Sequence, residues 1–345
     1  MREIGSEYSW DDANNKYIRC DESFFSSMDG LVFSGRTAIE TVLNNEPWIG
    51  KALLPSYCCD SMIEPFRKAG IEVGFYSVYY DGQLKHDLKY DDVDCILWCN
   101  YFGFRFEMPD LRDFINKGGI VIEDITHSLY SENKYNVQSH YLVASLRKWE
   151  ALICGGYCGA KGNRMINVPQ AHPNEWFVKK KWTAMTLKQR YLEGDNGVSK
   201  EEYLSIFSDT NKWLANNYSG LAIDEKSKEK LIHIDYAGHR KQRIENATYL
   251  YNGLNDHPDI EFLFNVSEMD CPLFVPVIIR SDKRDKIRQV LIENSIYCPV
   301  HWPRPFANCE SNLYEKELSL ICDHRYNVED MQRIIDILWK MKRED

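Results

Sequence analysis

No stretch of the 345 residues approaches the roughly 20 consecutive apolar residues that a membrane-spanning helix needs. The opening segment, MREIGSEYSWDDANNKY, has no apolar core of the kind a secretory leader requires, so a cytoplasmic protein is expected. Positive charge is in deficit: 42 Lys and Arg against 52 Asp and Glu leave a net charge of −10. A balance of that sign excludes nucleic acid as a partner, because phosphate backbones demand a basic surface. The densest basic run, VKKKW (Val178 to Trp182), reads as the solvated face of a helix. Zinc-type spacing is missing as well. Cys95 and Cys99, like Cys154 and Cys158, are four apart, but in β-like runs that spacing puts side chains on one face for packing alone. No metal site is expected. The 11 cysteines are odd in number and, apart from adjacent Cys58 and Cys59, scattered singly through apolar runs, as in a reducing compartment. Internal repeats and low-complexity tracts are absent too.

What is present is an ordinary globular composition, 44% hydrophobic and 27% charged, long enough for one large domain and a smaller one. The first half alternates short β-like runs with helical patterns, the signature of an α/β layered domain. GLVF, KALLPS, EVGFYSV, DCILWCNYF, IVIEDIT, YLVASL and GGYCGA read as strands. SGRTAIETVLNN reads as a helix capped by Ser34, DSMIEPFRKAG as one stopped by Gly70, and MPDLRDFINKGG as a third. From about Gly162 to Asp235 the pattern is helical and rich in tryptophan, with no clear division. A long amphipathic helix near residues 239–254 then leads to a strand, LFVPVIIR, a helix, KRDKIRQVLIEN, a strand, IYCPVHWP, and a closing helix capped by Asn327. Residues 1–238 are therefore expected to form the large domain and 239–345 a smaller C-terminal α/β domain.

Three places carry chemistry, each at the end of a predicted strand, where ligands gather in α/β sheets. In FSGRTA (Phe33 to Ala38) a glycine between strand and helix leaves the first backbone N–H groups free, an arrangement suited to phosphate. In VIEDITHS (Val121 to Ser128) the carboxylate of Asp124 can cap a helix, bind a metal or pair with a protonated ring nitrogen, with His127 three residues on. In SLRKW (Ser145 to Trp149), Lys148 sits beside apolar groups and Arg147, both of which favour the neutral amine that Schiff-base formation requires. A phosphate cup, an acid for a ring nitrogen and such a lysine together describe a pyridoxal phosphate site.

At this point the sequence resembles the DegT/DnrJ/StrS family of sugar aminotransferases, which have the type I aspartate aminotransferase fold. The matching text is SGRTAIETVL, LLPSYCCDSMIEPFRKAG, YFGF, VIEDITHS, ASLRKW with GGY, IYCPVHWP and LSLICDHRYNVEDM, spread from about residue 30 to 340. The resemblance implies an α/β, type I PLP-dependent transferase fold with a mixed, mostly parallel sheet. It implies pyridoxal 5′-phosphate as cofactor, glutamate as donor, and a keto acceptor of the nucleotide-linked sugar class used in polysaccharide or secondary-metabolite synthesis. It also implies a homodimer. Carried over by residue, Lys148 holds the cofactor and moves the proton, Asp124 keeps the pyridine nitrogen protonated, and His127 lies near the phenolic oxygen. Gly35, Arg36, Thr37 and Ser145 hold the phosphate. Asn100 and Tyr101 belong to the pocket wall, while His301, Trp302 and Arg325 face the acceptor.

Two departures stand out. Where many members place a ring over the cofactor, this chain has Cys59, so either Tyr57 takes that part or the stack is missing. HIDYAGHR stands where the family's glycine-tyrosine-asparagine element would reach into a neighbouring subunit, and does not match it. These departures leave room for another PLP enzyme, an amino-acid aminotransferase or lyase, and for a silent regulatory or scaffold relative.

Overall fold

The computed structural model describes residues 2–10 and 30–344. In chain order the elements begin with β1 (Ile4–Gly5), β2 (Leu31–Val32), α1 (Gly35–Asn45), β3 (Lys51–Pro55), α2 (Asp60–Lys68), β4 (Glu72–Tyr76), β5 (Val78–Tyr80) and β6 (Leu84–His86). They continue through β7 (Cys95–Cys99), α3 (Arg112–Asn116), β8 (Ile120–Asp124), β9 (Tyr141–Ser145) and β10 (Gly156–Ala160). Four helices follow: α4 (Glu175–Leu192), α5 (Lys200–Asn216), α6 (Glu225–Leu231) and α7 (Tyr236–Leu254). The chain ends with β11 (Ile260–Phe262), β12 (Val275–Ile279), α8 (Ser281–Glu293), β13 (Ile296–Tyr297), α9 (Leu313–Lys316), β14 (Glu317–Leu320) and α10 (Val328–Glu344).

The main sheet has seven strands in the order β2-β10-β9-β8-β7-β3-β4. Only β10 runs against its neighbours; the pairs from β9 across to β4 are all parallel. Every residue of β7 and β8 is buried, because helices cover both faces of a parallel sheet and leave no solvated side. That burial explains why these strands read as apolar runs rather than alternating ones. One consequence matters for chemistry: β2, β7, β8 and β9 end on the same side, so the residues that follow them converge there. The expected strand EVGFYSV breaks after Tyr76, and its tail pairs as β5 with β6 in a separate hairpin.

The stretch that sequence could not divide resolves into α4, α5 and α6. Residues 177, 181, 184, 185 and 188 of α4 are its buried face, a helical spacing that contains two lysines. VKKKW is therefore not a wholly solvated face. Lys179 and Lys180 are exposed, but Lys181 is buried and paired with Glu7 at 3.0 Å. Helix α7 begins three residues before the expected 239, because Asp235 accepts a hydrogen bond from the Gly238 N–H and caps it.

The C-terminal portion builds a three-stranded antiparallel sheet, β11-β12-β14. Of IYCPVHWP only Ile296 and Tyr297 are strand, and they pair in parallel with β1. This pairing brings residues 6–9 back against the main sheet's functional end. None of the described helices is long and apolar enough to cross a membrane.

Candidate active site

A cavity of about 240 Å³ opens at the strand ends. Its wall includes Gly35, Arg36, Cys59, Asp124, His127, Ser145, Lys148 and Trp302. Close backbone approach makes this possible. A Cβ on Gly156, at the start of β10, would lie 2.1 Å from the Ser34 carbonyl oxygen, and one on Gly35 would lie 3.1 Å from the Ser145 Cβ. The glycines let the N-terminus of α1 sit directly on the ends of β9 and β10. Ser34 caps the helix, its Oγ accepting from the Thr37 N–H at 3.2 Å. Helix N-termini of this kind favour anions.

Asp124 ends β8 and is buried, with its Oδ1 accepting from the Thr126 N–H at 2.8 Å. Burial raises its pKa, against the Thr126 bonds and the nearby Lys148 charge, which favour the carboxylate. Thr126 also accepts from the Ser145 N–H at 3.0 Å, locking the ends of β8 and β9 together. His127 is buried, and its Nδ1 accepts from the Phe102 N–H at 3.1 Å. Burial holds its pKa well below the usual histidine value, helped by Lys148 and His301. The ring is thus neutral with its proton on Nε2.

Lys148 closes a short 3-10 turn, Leu146–Lys148, that follows β9 directly. It is half-buried, and its Nζ lies 5.8 Å from the centroid of the Trp302 ring. Beside it is Arg147, also half-buried, whose charge is disfavoured first by burial and further by Arg36. The Nε atoms of both Arg36 and Arg147 are buried without a hydrogen-bond partner. Glu7 lines the same cavity, but its carboxylate is engaged by Lys181 at 3.0 Å and by the Asn211 amide at 3.3 Å. The Glu7 side chain is 42% exposed, and the Lys181 ammonium, with the Arg147 guanidinium beyond it, holds its carboxyl down at about 2.

Several expected residues lie elsewhere. Thr37 faces inward, its hydroxyl donating to the Tyr218 carbonyl at 2.9 Å. Tyr57 is fully buried behind the cavity, and Tyr101 donates to the Tyr57 carbonyl at 2.6 Å. Asn100 turns away to Glu123, Ser128 and the Lys134 carbonyl, so that Cys99 rather than Asn100 lines the cavity at the end of β7. Arg325 is in a separate, larger cleft of about 1290 Å³, paired with Asp323 at 2.7 Å. His301 is buried next to Trp302, 5.5 Å from His127 between ring centroids.

Glu7, Thr126, Arg147 and Asn211 join the wall alongside the anticipated groups, Trp302 among them. Thr126 lay within the motif around Asp124. Glu7 and Asn211 carry no local signal, since tertiary packing alone brings them in. In the larger cleft Glu150 meets His239 at 2.8 Å, but the His239 and His324 rings stack 6° from parallel. Stacked planes do not direct both nitrogen lone pairs at one ion.

No known family's sequence profile matches the chain, and no curated protein matches it in sequence. Solved structures do. The chain superposes on DesI, solved in the presence of its TDP-sugar product, with a TM-score of 0.65 at 12% identity, covering 100% of this chain and 96% of that one. A DegT DnrJ EryC1 StrS aminotransferase from Brucella abortus gives 0.60 at 13% identity, over 95% and 92% of the two chains. NtdA from Bacillus subtilis, with bound cofactor PMP, gives 0.59 at 14% identity, over 90% and 72%. The chain therefore shares the fold of these aminotransferases.

Proposed function

We propose that the cavity holds pyridoxal 5′-phosphate and that the chain is an aminotransferase. It would take an amino group from an amino-acid donor, glutamate, and give it to a keto acceptor, a nucleotide-linked keto-sugar. One observation carries the reading: two guanidinium groups with partnerless buried Nε atoms share a cavity with Lys148 and Asp124. A buried guanidinium N–H without an acceptor is costly, and a phosphate dianion is the ligand that satisfies both at once. The donor set fits the rest of the cofactor equally well, with an amine for its carbonyl carbon and a carboxylate for its ring nitrogen.

When bound, the cofactor supplies an electrophilic carbon and an electron sink. The chain supplies the rest. Lys148 is the amine that holds the carbonyl end and, once released, the base that moves the donor's α-proton. Asp124 keeps a proton on the ring nitrogen. His127, neutral and protonated on Nε2, donates toward the phenolic oxygen. Gly35 at the helix N-terminus, the Ser145 hydroxyl, Arg36 and Arg147 hold the phosphate.

The sugar acceptor rests on DesI, which was solved with its TDP-sugar product. Use in polysaccharide or secondary-metabolite synthesis follows from the family resemblance. A cytoplasmic setting is consistent with the ten free cysteines among the described residues. A homodimer follows from the family resemblance. The test is a single half-reaction. Protein loaded with pyridoxal phosphate and given glutamate without acceptor should release about one equivalent of 2-oxoglutarate per chain. Release of none, with glutamate and other common amino acids alike, would contradict an aminotransferase.

A further inference from the structure

We infer that Trp302 provides the aromatic face of the cofactor pocket, so that the ring comes from the C-terminal part of the chain and not from the loop after β3. The inference rests on the reading that the cavity takes pyridoxal phosphate.

The loop after β3 has no ring to give. Cys59 lines the cavity with a thiol, its Sγ 2.9 Å from the Ser61 Oγ. Tyr57 is fully buried outside the wall, packed against Tyr101 at 5.7 Å and Tyr314 at 5.2 Å between centroids. Among the described residues lining the cavity, the only aromatic side chains are His127 and Trp302. The indole stands 5.6 Å from the His127 ring at 30°, and Lys148 Nζ is 5.8 Å from its centroid. It therefore borders both the amine and the imidazole assigned to the cofactor, which is where a flat conjugated ring would meet it.

Trp302 is also held as a wall must be. Tyr57 backs it at 5.1 Å. The preceding residue is anchored to β14: the His301 N–H donates to Glu317 Oε2 at 2.7 Å, and its Nδ1 lies 2.8 Å from the Ser319 Oγ. Anchoring through β14 means that the C-terminal sheet, not the cofactor, sets where the indole stands. Cofactor affinity then depends on how that sheet packs against the main one, a dependence that a ring on the β3 loop would not create.

The experiment is a titration of the full chain with pyridoxal phosphate, read by the visible band of the bound cofactor and by quenching of tryptophan fluorescence. Wild type is compared with Trp302→Ala, Trp302→Leu and Trp302→Phe. Loss of an aromatic contact of this kind should raise the dissociation constant roughly tenfold to a hundredfold in the Ala and Leu variants. Trp302→Phe should bind within a fewfold of wild type but lose a large share of the quenching. The Leu variant keeps part of the apolar bulk without the ring, so it remains informative if the Ala variant does not fold. Equal affinity in wild type and Trp302→Leu would overturn the inference while leaving the aminotransferase reading in place. Absence of any bound band in wild type would overturn both.

Discussion

Arg147 separates binding from stability at the scale of one residue. It lies beside Arg36 with its Nε buried and unpartnered, and burial disfavours its charge. Glu7 offsets part of its charge, but the partnerless Nε–H costs the fold energy without a ligand and becomes a charge-assisted hydrogen bond with a phosphate bound. Arg147→Met should therefore raise the melting temperature of the cofactor-free protein by roughly 2 °C and weaken pyridoxal phosphate about tenfold or more. Calorimetry and a binding titration check the two halves, and a variant that melts lower yet binds equally well would refute the assignment. The residues legible in the sequence were those whose chemistry sits in one motif at a strand end: Gly35, Asp124, His127, Ser145 and Lys148. Trp302 and Arg36 were also named there, but the partnerless Nε of Arg36 and the neighbours of Trp302 depend on contacts between distant segments. Asn100 shows the opposite failure. It stands at the expected strand end, but its amide is satisfied by Glu123 and Ser128 and so turns from the cavity.

Among the elements, the contact between α1 and β10 is the one that shapes the cavity. A methyl group on Gly156 would meet the Ser34 carbonyl at 2.1 Å, with the Gly35 nitrogen at 3.0 Å, both backbone atoms that cannot swing aside. Gly156→Ala should destabilise the protein by about 3 kcal/mol or more and displace the N-terminus of α1, with cofactor affinity falling in parallel. Ser34→Ala removes the cap and the contact with the Thr37 hydroxyl and should cost about 1 to 2 kcal/mol. Denaturant unfolding of the two variants gives the comparison, and a milder effect from Gly156→Ala would contradict the packing described. The strands were readable because burial on both faces leaves unbroken apolar runs. Helix α4 was not. Its inward face includes Lys181 and Lys188, and a buried lysine looks in sequence like a solvated one until its partner, Glu7 for Lys181, is known. Neither α5 nor α6 carried a clearer signal, so the whole stretch from α4 to α6 stayed undivided.

For the molecule as a whole, two buried carboxyls set opposite slopes of stability against pH. Burial alone would raise Glu150, but His324, His239 and the Tyr130 hydroxyl hold it down at about 2, against 4.5 ordinarily. The native state then binds fewer protons than the unfolded one between those values, so stability is lost as pH falls through that window. Glu317 is pushed up to about 8 by burial, despite bonds from Ser319 and the His301 N–H. Here the native state keeps a proton that the unfolded chain releases, so stability falls as pH rises from about 4.5 to about 8. Glu317→Gln, which mimics the protonated acid, should flatten that second decline; an unchanged slope in thermal melts from pH 5 to 8 would contradict it. The most direct measurement of the central claim is reductive trapping. Protein incubated with pyridoxal phosphate, treated with borohydride and digested should carry the pyridoxyl phosphate mass on the peptide containing Lys148, and Lys148→Ala should carry none. Lys188, whose pKa burial lowers to about 8, is the competing amine. A label on Lys188, or on no peptide at all, would contradict the account.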